Sequence, residues 1–297
     1  MTHQAIDAAP VVSAGGKSFA ARLRIALSRL AERRSAMFGL VFLVLLALLA
    51  IFAPLIAPYE SDEFTSGVLL GPSWEHLFGI DQIGRDVFSR VILGSRISLS
   101  VGFLAVSISL VFGVTLGVLA GYYRGSLDNA VMRLMDVMMA MPYVLLAVLI
   151  AAVLGPSLQN GIIAIGIVRI PRFARVARAA TIATARLQYV EAARCIGASD
   201  KRIILREVMP NILGPLVVYS TLSLGEAILA AAVLSFLGLG AQPPTPEWGA
   251  MLQEAQRYLT TAPFLSIFPG LFVFMTVLSF NLLGDGLRDI LDPKSRG

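Results

Sequence analysis

Charge is scarce in this chain. Asp, Glu, Lys and Arg make up 14% of its 297 residues, against roughly a quarter in soluble domains. Cysteine occurs once, at Cys195, and histidine twice, at His3 and His76. A lone cysteine excludes an internal disulfide, and two distant histidines leave no metal-ligand spacing. Residues 1–36 lack the apolar core of a cleavable signal, and the first apolar run is too long to be one, so it is expected to stay as an anchor. The apolar runs carry a single carboxylate, Glu226, and no histidine. Membrane-embedded enzyme chemistry needs a nucleophile with its base, or paired acids at one depth, and neither is offered. The chain is not expected to be an enzyme, nor to bind nucleic acid.

What the chain has in abundance is apolar surface: 57% of residues are hydrophobic and the mean hydropathy is +0.78. An apolar helix needs about 20 residues to cross the hydrocarbon of a bilayer. The runs predict an all-α membrane protein with about six spans, at 37–58, 97–120, 137–154, 161–176, 212–233 and 262–283, behind a cytoplasmic tail and basic helix over 1–36. The fourth is interrupted by Arg169, Pro171, Arg172 and Arg175. Basic residues are retained on the cytoplasmic side. With the N-terminus inside, 20 of the 24 Lys and Arg fall on inner segments, and only Arg85, Arg90, Arg96 and Arg257 on outer ones. Both termini are therefore expected to be cytoplasmic, with Arg22–Arg34 as a basic helix on the anionic lipid surface. Gly15–Ser18 reads GGKS, the end of a phosphate-binding loop, but the glycine that such a loop needs five residues before Gly16 is Val11. Nucleotide binding by this chain is not expected.

The most informative stretch is charged: EAARCIGASDKRIILREVMPN, Glu191 to Asn211. Glu191, Ala192 and Ala193 favour helix, and Gly197, Ala198 and Ser199 suit a turn. Asp200 is positioned to cap a second short helix, 201–208, which Pro210 would interrupt. This pattern, E-A-A, three residues, Gly197, then eleven residues to Met209 and Pro210, resembles the EAA loop of the membrane-spanning subunits of binding-protein-dependent ATP-binding-cassette (ABC) importers. Here Met209 stands where the family usually has Leu, and Glu207 where it often has His or an apolar residue. HLFGIDQIGRDVFSR (His76–Arg90), SFLGLGAQPPTPEWG (Ser235–Gly249) and FNLLGDGLRDILDPK (Phe280–Lys294) are similar to the peptide and nickel importer branch, in particular the second of its two permeases.

That resemblance implies a permease of type I importer architecture in the bacterial inner membrane, paired as a heterodimer with a second homologous permease. It also implies two cytosolic ATPase subunits, which would hold the ATP and Mg, and a periplasmic or lipid-anchored binding protein. This chain itself would bind no cofactor and no metal. The loop 186–211, with Glu191, Ala192, Ala193, Gly197, Ala198, Asp200, Met209, Pro210 and Asn211, would couple ATP to transport. Short peptides (dipeptides, oligopeptides or glutathione) are the expected cargo, with nickel or its chelates as the alternative. A proton-driven carrier using Glu226 is the rival of a different class, and it has no need of such a loop.

Other residues carry weaker expectations. Asp81, Gly84, Arg85 and Asp86 read as an ion-pair turn. Pro243, Pro244, Pro246 and Trp248 form a stiff turn suited to the membrane interface or to contact with the binding protein. Gly113, Gly117 and Gly121 recur every fourth residue, a face for close helix packing. Glu226, Arg169 and Arg172 are candidates for the translocation path, with the two arginines facing water and attracting a peptide carboxylate. Arg175 and Arg178 are expected to snorkel to the inner lipid surface.

Overall fold

The computed structural model describes residues 33–291. The basic helix expected before Arg33, the GGKS stretch and the end of the last motif, Lys294 included, lie outside the described residues. The elements are α1 (Arg34–Ile51), α2 (Ala53–Ile56), α3 (Val87–Tyr123), α4 (Gly125–Met139), α5 (Tyr143–Leu154), α6 (Leu158–Thr184), α7 (Gln188–Cys195), α8 (Asp200–Ile203), α9 (Met209–Phe236), α10 (Trp248–Ala255) and α11 (Phe264–Leu291). Among the described residues there is no β-strand, only one isolated bridge between Ile80 and Asp86.

Among the described residues, four helical stretches are long and apolar enough to cross a bilayer: 34–51, 87–123, 200–236 and 264–290. Their exposed faces carry Leu45, Phe112, Leu229 and Phe274, as lipid contact requires. The run read as a span at 137–154 is not one helix. α4 ends at Met139, α5 starts after Pro142, and the two axes differ by 89°. Proline excludes a backbone donor and pushes the preceding residue out of helical geometry, which accounts for a break at this place. α6 has 27 residues, about 40 Å of helix, but its arginines keep it below the hydropathy of a lipid-facing span. The apolar stretch 97–120 lies inside the longer α3, and 212–233 inside the continuous helical run 200–236.

Three helix starts are capped by side chains. Asp86 accepts from Ser89 N at 2.7 Å at the head of α3, Ser157 from Asn160 N at 3.1 Å at α6, and Glu247 from Ala250 N at 3.0 Å at α10. α3 packs most extensively on α6, and the glycine stripe explains why. A Cβ at Gly113, Gly117 or Gly121 would collide with Ile170–Phe173, Ala174 or Arg178 of α6. Ser109 Oγ also donates to Gly166 O across this contact at 2.8 Å. α9 packs against α3, α6 and α11, and α1 lies on α11, where Gly39 meets the Ser279 carbonyl.

Candidate functional site

The segment 186–211 joins α6 to α9 and folds as helix, turn and helix. Gly197 takes φ +78°, which L-residues rarely adopt. The turn closes through Gly197 N to Arg194 O and Ala198 N to Ala193 O, both 3.0 Å, the paired bonds that end a helix at a left-handed glycine. The N-cap of α8 is Ser199 rather than Asp200, and Asp200 accepts instead from the Tyr122 hydroxyl at 2.7 Å. Arg194 lies over the Tyr122 ring at 5.2 Å, so the end of α3 holds the loop from below. Pro210 does not interrupt the helix. It sits in the first turn of α9, where its missing donor is tolerated, behind a π-turn over 204–208 that widens the helix just before it. Asn211 Nδ2 donates to the Glu207 carbonyl at 2.6 Å.

The motif residues divide between two faces. Val190, Ile203, Val208 and Ile212 are buried in the main hydrophobic core, with Ala193, Ala198 and Met209 packed against it. Glu191, Ala192, Gly197, Asp200, Pro210 and Asn211 are exposed. So are four large apolar side chains, Leu187, Tyr189, Leu205 and Ile196, the last 84% exposed. Partial desolvation and the Glu207 charge hold the Tyr189 phenol above its ordinary value. An apolar surface on a rigid, core-anchored base is what a protein partner buries.

A second constellation runs along α6. Arg169 Nη2 donates to Glu226 Oε2 at 2.6 Å, and Arg172 Nη1 reaches the same oxygen at 3.4 Å. Arg175 pairs with Asp136 at 2.6 Å, and Arg178 forks onto both oxygens of Asp128. Arg175 and Arg178 thus bind α4 carboxylates instead of snorkelling to lipid. Arg169 is almost fully buried and salt-bridged to Glu226, so it does not face water as expected, whereas the Arg172 side chain is 43% exposed and that of Glu226 47%. The sequence reading missed Asp128, Asp136 and the Tyr143 ring, which lies 5.5 Å from the Arg172 guanidinium carbon. Asp136 and Asp128 recur at helical spacing on α4, which is the signal that would have found them.

The outer motifs build a third cluster. Arg85 Nε donates to Asp81 at 2.6 Å and its Nη2 to Glu254 at 2.6 Å, while Arg90 adds a contact to Glu254 at 3.2 Å. His76 Nδ1 lies 2.9 Å from Asp86. The ion-pair turn is there, and Glu254 of α10, absent from the sequence reading, is its keystone. The Pro-rich turn behaves differently from expectation. Pro243 and Pro244, joined by a cis peptide, are exposed, but Pro246 and Trp248 are buried. Gly94 of α3 leaves room for the Pro246 carbonyl, and Trp248 Nε1 donates to Val91 O at 3.0 Å. Neither buried residue is placed to touch lipid or a docked protein.

Helical stretches long and apolar enough to cross a membrane, with arginine–carboxylate pairs between helices and an exposed helix–turn–helix loop, fit a membrane transport permease. The chain belongs to the binding-protein-dependent transport system inner membrane component family, which matches residues 113–297, and is a multi-pass protein of the bacterial inner membrane. Residues 22–72 match the N-terminal TM domain of oligopeptide transport permease C. The chain is 47% identical over 274 residues to the dipeptide transport system permease protein DppC of Alkalihalophilus pseudofirmus, covering 92% of this chain and 90% of that one. It is 50% identical over 271 residues to the glutathione transport system permease protein GsiD of Escherichia coli, covering 91% and 89%. Its fold is similar to that of a chain in inward-facing crystal structures of the MetNI methionine ABC transporter, with TM-score 0.55, 20% identity, and coverage of 68% of this chain and 96% of that one. A crystal structure of an amino acid ABC transporter gives TM-score 0.51 at 17% identity, covering 67% and 92%.

Proposed function

We propose that this chain forms half of the translocation path of an ATP-driven importer of short peptides, and that the loop 186–211 is the seat of a cytosolic ATPase subunit. The observation that carries the reading is the two-faced loop, with Val190, Ile203, Val208 and Ile212 fixed in the core and Leu187, Ile196 and Leu205 presented outward. α6 enters this loop and α9 leaves it, and these are the helices that bear Arg169, Arg172 and Glu226. A push on the loop therefore moves the charged face of the path. The charge asymmetry supports a cytoplasmic loop and cytoplasmic termini. ATP, held with Mg in two partner ATPases, favours the closed ATPase pair, which presses the loops of two related permeases together and turns the path outward; hydrolysis resets it. A periplasmic or lipid-anchored binding protein delivers cargo on the opposite side.

Glu226 lies ten residues before the end of α9, about 15 Å along the helix. At such depth a half-exposed ion pair does not face lipid, so this surface meets the second permease or the water of the path. The dipeptide and glutathione permeases among its relatives support peptides as cargo. Nickel is disfavoured because bare nickel is best held by imidazole and thiolate; among the described residues the one thiol, Cys195, sits on the loop and the one imidazole, His76, is tied to Asp86. A proton carrier centred on Glu226 is disfavoured because that carboxylate is shared by two arginines. The test is reconstitution of the chain, with the subunits that copurify, in proteoliposomes. ATP-dependent import of labelled dialanine is expected. Import driven by a proton gradient without ATP would overturn the mechanism, and import of chelated nickel in place of peptide would overturn the cargo.

A further inference from the structure

We infer that Arg172 is a binding residue for the free carboxylate of the cargo, in a site between α6 and α9 inside the membrane. The inference rests on the peptide reading above. Arg169 and Arg172 share one carboxylate, Glu226, so the group carries one positive charge in excess at membrane depth. Arg169 takes the short contact, 2.6 Å, and is 3% exposed; Arg172 is left with a contact of 3.4 Å. Among the described residues that is the only hydrogen bond Arg172 makes, and its guanidinium otherwise rests near the Tyr143 ring. The neighbouring arginines do not offer the same opening, since Arg175 and Arg178 each own a carboxylate of α4.

The surroundings of the pair are also incomplete. Arg169 Nε is buried without a hydrogen-bond partner, and the buried Tyr219 and Ser223 hydroxyls have no partner beyond one another. Tyr219, Ser223 and Glu226 stand at i, i+4 and i+7, one face of α9, while Arg169 and Arg172 stand at i and i+3 on the facing α6. Buried polar atoms are paired in folded proteins with rare exceptions, and an exception such as Arg169 Nε marks a place where water or a ligand completes the set. A planar carboxylate fits the guanidinium fork, and its charge cancels the excess. A bare cation would add to that excess, whereas a zwitterionic peptide can turn its carboxylate toward Arg172 and keep its ammonium away.

The test uses proteoliposomes with the complete importer and saturating binding protein, and reads labelled dialanine imported per ATP hydrolysed. The ratio is expected to fall about tenfold in Arg172→Gln and to recover most of that loss in Arg172→Lys, as loss and return of a charge-assisted contact requires. An unchanged ratio in Arg172→Gln, with import and hydrolysis either both intact or both reduced, would overturn the inference. So would an equal fall in the glutamine and lysine variants, because lysine keeps the charge. Failure of the wild-type importer to move any peptide is a different result, and it would overturn the peptide reading on which the site depends.

Discussion

The outer charge cluster and the α6 ladder use the same chemistry, arginine on carboxylate, in opposite ways. In the outer cluster Arg85 and Arg90 are buried and share Asp81 and Glu254, with two cations balanced by two anions. In the ladder, Arg172, Arg175, Glu226 and Asp136 are about half exposed on this subunit, and the pair of arginines at Glu226 is one anion short. A buried, balanced knot has one arrangement, because moving any member leaves a charge unpaired in a low-dielectric interior. Half-exposed pairs can exchange partners at little cost. The Arg85–Arg90 end of the bundle is thus built to stay still, and the ladder to change.

The strongest way to test that contrast is to break the knot. Glu254→Ala leaves two guanidinium groups buried beside Asp81 alone, and is expected to cost about 3–5 kcal/mol, seen as a large drop in the thermal midpoint in detergent. Gly117→Val comes next. The added side chain meets the Ala174 backbone, which cannot rotate away, and overpacking of this kind costs about 1–3 kcal/mol.

A subtler probe is Glu247, the buried cap of α10. Burial raises its carboxyl above the ordinary value, so ionising it costs more in the folded chain than in the unfolded one. Its contribution to stability is full below the unfolded value of about 4.3 and is lost as the pH rises through the raised folded value. Glu247→Gln keeps an acceptor for the Ala250 amide and removes that loss, so the variant is expected to gain thermal midpoint over wild type at pH 8 and not at pH 4. The smallest effect belongs to the ladder. Asp136→Asn breaks a pair whose members are 47% and 56% exposed, and is expected to change stability by about 1 kcal/mol or less in the same melting measurement. A loss as large as that of Glu254→Ala would erase the distinction between the two regions.

How far the sequence disclosed these regions follows from how local each signal is. The loop 186–211 was legible because its helix formers, turn glycine and proline lie within a single stretch. The glycine stripe of α3 was legible because close packing leaves a four-residue period on one helix. Glu254 was not, because its partners Arg85 and Arg90 lie more than 160 residues away in the chain. Asp128 and Asp136 stood in a segment too polar to read as a span, so the arginines of α6 were left without visible partners. The 89° bend at Pro142 was hidden because hydropathy sums over it without regard to direction. Trp248 was misplaced for a related reason: an aromatic in a Pro-rich loop reads as interfacial until Gly94 and Gly249 reveal how closely α3 and α9 approach it.

If the exposed face of the loop seats an ATPase, Ile196 is the residue at which that seat can be broken. Its side chain is 84% exposed and supports nothing in this subunit, so Ile196→Asp is expected to leave stability within about 0.5 kcal/mol. The measurement is affinity purification of tagged wild-type and Ile196→Asp chains from native membranes in mild detergent, with quantitative mass spectrometry of what remains bound. Wild type is expected to retain a second permease and an ATPase in stoichiometric amounts, and the variant to keep the permease while losing the ATPase. Full retention of the ATPase by the variant, or its absence from wild type, would contradict the claim.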